Sequence, residues 1–285
     1  MFSPQSYASK ALVLLLSASG ALAAPSAGCG KTPTLESGTQ TLDINGAGRE
    51  YILRIPEGYN STNPYKLIFG IHWLGGTAED VDTGQTVEEG VWSYYGLQDK
   101  AEGNAIFVAP NGIDGNWYND GGADMALFDE IVSTVEADLC VDDELRFSIG
   151  FSWGGAMSYA LACRDEPNTF RAVTCIATAG PFTCEPGTSP VAYLGIHGIS
   201  DRIEEGREFR DRWLENNGCD AEEAPEPEVG SLTHTKTEYT CEPEYPVTWI
   251  AFDGGHMAAP YDGGEGESGS ESFVPDEAWA FFNQF

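Results

Sequence analysis

A serine framed by glycines is the first feature of the chain that could do chemistry. Gly150-Phe151-Ser152-Trp153-Gly154-Gly155 follows the apolar, β-rich run Leu145–Ile149 and leads into a second apolar stretch that reaches Cys163. Between a strand and a helix, the pattern G-x-S-x-G puts its serine on a sharp turn with the hydroxyl standing above a sheet. The five residues alone recur by chance; the strand before them and the helix after them give the pattern its weight. Glycine at 150 and 154 removes side chains that would collide with such a turn. A serine hydroxyl is a poor nucleophile until a base takes its proton, so a histidine and an orienting carboxylate are expected later in the chain.

Order along the chain narrows both choices. In the α/β-hydrolase arrangement the serine is followed by Asp or Glu and then by His, each on a loop after a later strand. His256 closes Phe252-Asp253-Gly254-Gly255-His256, directly after the apolar run Val247–Phe252. His234 lies upstream in a polar run between two cysteines, so His256 is the expected base. The run Val191–Ile196 leads into His197-Gly198-Ile199-Ser200-Asp201. Asp201 is the expected acid, with Glu204 its rival; Asp211 falls in the next helix and Asp253 is too near His256. The oxyanion of an acyl-transfer intermediate needs two preorganised N–H donors. The backbone of Trp153 is expected to give one, and that of Trp73, or of Leu74 next to it, the other, from the loop His72-Trp73-Leu74-Gly75-Gly76. His72 is expected to hold that loop rather than to react. Trp73, Trp117 and Tyr118, in or near loops above the sheet, are expected to give the substrate flat apolar walls.

These residues need a mostly parallel sheet with helices on both faces, and the patterning predicts one. Strands are expected at Thr41–Ile44, Tyr51–Ile55, Lys66–Ile71, Ala105–Ala109, Leu145–Ile149, Ala172–Ile176, Val191–Ile196 and Val247–Phe252. The first two form a hairpin through Asn45-Gly46-Ala47-Gly48. Helices are expected from a cap at Asp124 to about Asp138, from just after Ser152 to Cys163, from Glu205 to Asn216 and from Pro275 to Phe282. The stretches Asp220–Gly230 and Tyr261–Ser272 read as exposed loops.

Composition sets the wider bounds. The chain has 285 residues, 45 of them acidic and 14 basic, for a formal charge of −31. Such a chain repels nucleic acid and anionic membranes and is compatible with a neutral polysaccharide partner. Lys10, the apolar run Ala11–Leu16 and the small-residue end Ala21-Leu22-Ala23 have the form of a cleavable secretory signal over residues 1–23. A single domain is expected over 24–285, extracellular, with no carbohydrate-binding module. Seven cysteines imply disulfides with one thiol left over. Asn60-Ser61-Thr62 is a glycosylation sequon in a polar loop.

Several segments resemble the fungal feruloyl esterases of carbohydrate esterase family one, a group similar to polyhydroxybutyrate depolymerases and acetyl xylan esterases. They are Pro64 to Trp73, Tyr94-Tyr95-Gly96-Leu97, Gly150 to Cys163, Asn216-Asn217-Gly218-Cys219 and Gly254-Gly255-His256. The resemblance runs from Cys29-Gly30-Lys31 to Trp279-x-Phe281-Phe282. It implies hydrolysis of hydroxycinnamate esters on plant cell-wall arabinoxylan through an acyl-enzyme, with no metal or cofactor; separately, a monomer is expected. Its triad falls on Ser152, Asp201 and His256. Trp153 stands where relatives commonly have tyrosine, and Cys175 is an addition to the usual six cysteines. Two readings stay open beside it: an acetyl xylan esterase or polyester depolymerase on the same framework, and a non-catalytic carbohydrate-binding protein. For the disulfides, Cys219 and Cys241 flank the acidic loop and suit a local bridge. Cys140 and Cys163 both fall near the lower end of the sheet, which leaves Cys29 with Cys184 and Cys175 as a buried free thiol.

Overall fold

Short apolar runs rich in β-branched and aromatic residues, with no polar alternation, suit strands covered on both faces, and the centre of the molecule is built from them. In a computed structural model, residues 24–164, 169–180, 184 and 187–285 are described; the signal read at residues 1–23 lies outside them. Among the described residues nine strands form one sheet: β1 (Gly38–Ile44), β2 (Ala47–Arg54), β3 (Tyr65–Ile71), β4 (Ala105–Pro110), β5 (Val141–Phe151), β6 (Ala172–Ile176), β7 (Ala192–Gly198), β8 (His234–Glu238) and β9 (Val247–Phe252). Their order is β1-β2-β4-β3-β5-β6-β7-β9-β8. Strands β4, β3, β5, β6, β7 and β9 run parallel, while β1, β2 and β8 add antiparallel edges. Every residue of β4, β6, β7 and β9 is buried.

Among the described residues, six α-helices cover the sheet. On one face lie α3 (Ala123–Asp138), α4 (Trp153–Ala162) and α5 (Ile203–Asn216), whose Leu127, Phe128, Met157, Tyr159 and Trp213 share a core. On the other lie α1 (Ala78–Thr83), α2 (Leu97–Lys100) and α6 (Val274–Phe282), packed through Val81, Leu97, Ala278 and Phe281. Ile44 pairs with Ala47, so the hairpin turn is Asn45-Gly46, both with positive φ (56° and 85°). That is the two-residue turn whose twist matches the strands on either side.

Three expectations are corrected. Asp124 does not cap α3: Gly122 occupies the N-cap and Asp124 sits in the first turn, where its buried carboxylate accepts from the Arg49 guanidinium at 2.7 Å. The polar run around His234, where no strand was expected, forms edge strand β8. The disulfides are Cys29–Cys140, Cys163–Cys184 and Cys219–Cys241. The last is the bridge expected across the acidic loop; Cys140–Cys163 and Cys29–Cys184 are not formed. The N-terminal segment decides this, because it runs under the start of β5. There Ser26 N–H donates to the Val141 carbonyl and Ser26 Oγ to that of Leu139, and Cys29 comes within 4.0 Å, Cα to Cα, of Cys140. Cys175 is the free, buried thiol; burial pushes its pKa up, which keeps it protonated and inert.

Candidate active site

The strand β5 ends at Phe151 and α4 begins at Trp153, leaving Ser152 alone in the turn with φ 57° and ψ −118°. A non-glycine residue held there is strained, and the hydrogen bonds around it hold it in place. Ser152 N–H donates to the Ile176 carbonyl, while its own carbonyl accepts from Ala156 and Ala179. The glycines permit the crowding. A Cβ on Gly150 would lie 2.3 Å from the Gly154 carbonyl, and one on Gly154 would lie 2.0 Å from the Ile71 carbonyl oxygen at the end of β3. The turn is therefore seated against the strand that supplies the neighbouring loop.

The loops after β7 and β9 bring the other two groups to Ser152. Ser152 Oγ donates to His256 Nε2 at 2.9 Å, and His256 Nδ1 donates to Asp201 Oδ2 at 2.6 Å. This is a hydroxyl, imidazole and carboxylate in line, with the carboxylate fixing the tautomer that leaves Nε2 free to accept a proton. Ser152 is 7% exposed, whereas the His256 side chain is 39% exposed. The two loops pack backbone on backbone: Ile199 N–H donates to the Phe252 carbonyl and Ser200 N–H to that of Gly254. His197 adds a clamp from below, its Nε2 donating to the Asp201 carbonyl at 2.6 Å. Burial holds the His197 pKa below the usual histidine range, which keeps the ring a neutral donor. On the far side of His256, Glu267 Oε1 accepts from the N–H groups of Ala258 and Ala259. The rival groups are elsewhere: Glu204 pairs with Arg207 on α5, and His234 pairs with Asp262 at 2.9 Å.

His72 organises the loop after β3. Its Nδ1 donates to the Trp73 carbonyl at 2.8 Å and its Nε2 accepts from Gly112 N–H at 2.9 Å. Its own carbonyl accepts from the Trp117 indole at 2.8 Å. In a trans peptide the N–H points opposite to the carbonyl, so these inward carbonyls turn the N–H groups of Trp73 and Leu74 outward. Trp117, expected against substrate, is fully buried instead; its ring packs on His72 and Phe128. Its place is inside the loop support, because a buried indole needs an acceptor and the His72 carbonyl supplies one. Trp73 is half-buried and lies edge-on to Phe151, while Tyr118 is 59% exposed and edge-on to Trp153.

One supporting residue was not singled out from the sequence. The buried Tyr95 hydroxyl donates to the Ile71 carbonyl at 2.6 Å and accepts from Phe151 N–H at 3.2 Å. It links the end of β3 to the serine turn, and its position beside Tyr94 and Gly96 was the only sequence signal. Among the described residues, no group of three or more His, Cys, Asp or Glu is placed to hold a metal ion, and no helix is long and apolar enough to cross a membrane.

No protein-family model matches the chain. The probable feruloyl esterase C of Aspergillus terreus is 48% identical over 263 residues, covering 91% of each chain. The chain belongs to the feruloyl esterase family. The feruloyl esterase C of Emericella nidulans is 44% identical, again over 91% of both chains. A solved ferulic acid esterase structure covers 88% of this chain and 99% of its own, at 14% identity and a TM-score of 0.57. That likeness shows the fold, which is the α/β-hydrolase type. Membership of the feruloyl esterase family makes the chain a carboxylic ester hydrolase.

Proposed function

We propose that the chain hydrolyses hydroxycinnamoyl esters, feruloyl esters of plant cell-wall arabinoxylan above all, with Ser152 as nucleophile, His256 as base and Asp201 as the acid that orients it. The observation that carries the reading is the unbroken line of hydrogen bonds from Ser152 Oγ through His256 to Asp201. In the first half-reaction His256 Nε2 takes the hydroxyl proton as Oγ bonds to the ester carbonyl carbon. The carbonyl oxygen becomes an oxyanion facing the backbone N–H groups of Trp153 and of Trp73 or Leu74. When the intermediate collapses, the bond to the alcohol oxygen breaks and His256 returns the proton to it. Water, deprotonated by the same imidazole, then attacks the acyl-enzyme and releases the acid. Each oxyanion donor is worth roughly 3–4 kcal/mol in the barrier. Trp73 and Tyr118 line the approach to the serine.

The chain is further proposed to be a single secreted domain that acts outside the cell as a monomer. The three disulfides suit an oxidising compartment, and Asn60, exposed in its turn, suits glycan attachment. The deciding assay is release of ferulate from methyl ferulate beside release of acetate from acetylated xylan, by the parent protein and by Ser152→Ala. Ferulate release that falls by several powers of ten in the variant supports both nucleophile and substrate. Acetate release without ferulate sinks the substrate assignment and keeps the mechanism.

A further inference from the structure

Ser152 is flanked in sequence by two aromatic residues that go to opposite faces of the sheet. Phe151 packs on the face of α1, α2 and α6, as do Trp73 and Met257. The Phe151 ring is 4.7 Å from that of His256 and 6.2 Å from that of Trp73. Trp153 packs on the other face, against the core shared by α3, α4 and α5. Tyr118 meets it edge to face, at 5.3 Å and 83°.

Exposure singles out the second pair. Among the described residues the exposed large hydrophobics are Leu74, Ile113, Tyr118 and Val229. The first three sit on two adjoining loops, held together where Gly75 N–H donates to the Gly115 carbonyl. An apolar patch gathered at the mouth of a site, on loops braced from beneath by His72 and Trp117, marks a binding surface rather than scattered surface apolarity.

The chemistry of the reaction assigns the two sides. The tetrahedral carbon carries Ser152 Oγ, the oxyanion, the leaving oxygen and the acyl chain. The leaving oxygen has to receive a proton from His256 Nε2, so the alcohol lies on the His256 side. The oxyanion lies toward the N–H groups of Trp153 and of Trp73 or Leu74. The acyl chain takes the direction that remains, away from His256. Resting on the esterase reading above, we propose that the Tyr118–Trp153 pair, rimmed by Leu74 and Ile113, is the acyl subsite that receives the hydroxycinnamoyl ring, and that the Trp73–Phe151 wall beside His256 receives the sugar alcohol. A flat conjugated ring gains an aromatic wall there, while sugar hydroxyls would be stranded against Leu74 and Ile113.

Two substrate pairs separate the sides. 4-Nitrophenyl ferulate and 4-nitrophenyl acetate share a leaving group and differ in acyl chain; methyl ferulate and a feruloylated arabinoxylan oligosaccharide share the acyl chain and differ in alcohol. Tyr118→Ala, at an exposed position, lowers kcat/KM for nitrophenyl ferulate relative to nitrophenyl acetate by about ten-fold. It leaves the ratio of oligosaccharide to methyl ester within about two-fold, inside the usual scatter for an untouched contact. Trp153→Leu shifts the acyl ratio in the same direction, and Phe151→Leu shifts the alcohol ratio instead. A Tyr118→Ala variant that changes the alcohol ratio alone, or neither ratio, overturns the assignment. A parent enzyme faster on acetate than on ferulate overturns the substrate reading itself, and with it the need for an aromatic acyl subsite.

Discussion

Gly154→Ala is expected to damage catalysis through contact with β3 rather than through any group it removes. The added Cβ would stand 2.0 Å from the Ile71 carbonyl oxygen and 2.8 Å from that of His72. Even a tight carbon–oxygen contact requires separation by about 1 Å more. The Ile71 carbonyl cannot simply swing away, since it is held by the Tyr95 hydroxyl at 2.6 Å. Either the first turn of α4 tips or the end of β3 shifts, and Trp73 lies two residues beyond Ile71. A displacement of about 1 Å between reacting groups costs about 10²-fold in rate, and overpacking a filled core costs about 1–3 kcal/mol in stability. Steady-state kinetics on methyl ferulate, with urea unfolding of the same variant, reads both. The fall is expected chiefly in kcat, because the shift acts on the serine turn and the oxyanion donors, with a smaller rise in KM, because Trp153 and Trp73 ride on the two displaced segments. Gly155→Ala is the control: its Cβ would meet the Thr178 hydroxyl at 2.9 Å, and the nearest backbone atom lies at 3.1 Å, so its loss is expected to be smaller. Gly154→Ala with parental kcat and stability would refute the idea that the seat of the serine turn on β3 sets the site's geometry.

Three further outcomes are expected. Tyr95→Phe leaves the Ile71 carbonyl and the Phe151 N–H without their shared partner, costing about 1–3 kcal/mol in unfolding free energy and lowering kcat more than KM rises. Burial holds the His72 pKa at about 4, below its ordinary 6.5. The unfolded chain therefore takes up a proton that the folded one refuses, and stability falls as pH drops from 6.5 toward 4, by at most about 1.4 kcal/mol per pH unit. In His72→Gln, the urea midpoint is expected to change less between pH 7 and pH 4.5 than in the parent. Asp124→Asn strands the Arg49 guanidinium, whose side chain is 5% exposed against 4% for its partner. Removing one member of a buried pair costs about 3–5 kcal/mol, seen as a lower Tm. Because Asp124 Oδ2 also accepts from Asn119 N–H at 2.7 Å, activity on aromatic acyl esters is expected to fall as the loop bearing Tyr118 loosens.

The parts legible in the sequence were those governed by local rules. Strands β6 and β9 were readable to the residue because local breakers bound them: Arg171 comes directly before β6, and Pro246 and Asp253-Gly254-Gly255 bracket β9. That Ser152, His256 and Asp201 come together in one hydrogen-bonded line was legible because each follows a strand and the fold fixes their order, while their catalytic roles are the proposal made above. Edge strand β8 was missed because His234-Thr235-Lys236-Thr237-Glu238 buries little besides Thr237, and a one-sided edge carries no apolar signal. Long-range pairings were out of reach. Nothing local ties Cys29 to Cys140, 111 residues away, and the link appears only once Ser26 is seen bonded to the start of β5. Trp117 was misplaced for a related reason: a tryptophan in a loop between glycines and asparagines reads as surface unless the carbonyl that takes its N–H is known. Asp124 was taken for a cap because an acidic residue before a helical stretch usually is one, whereas here a buried arginine claims it.

Ser152 is sheltered and His256 is open to the medium. In an acyl-enzyme formed at such a site, the imidazole activates a hydroxyl that reaches it from solution, water or alcohol alike, and the Trp73–Phe151 wall beside it is the protein's means of favouring an alcohol. The fate of the acyl group then becomes a competition decided by the surroundings, between water and any dissolved or polymeric alcohol. In dilute aqueous medium water wins that competition and the acyl group leaves as the free acid. Against a dense bed of sugar hydroxyls with little free water, the same two steps run as transfer, moving an acyl group from one chain to the next.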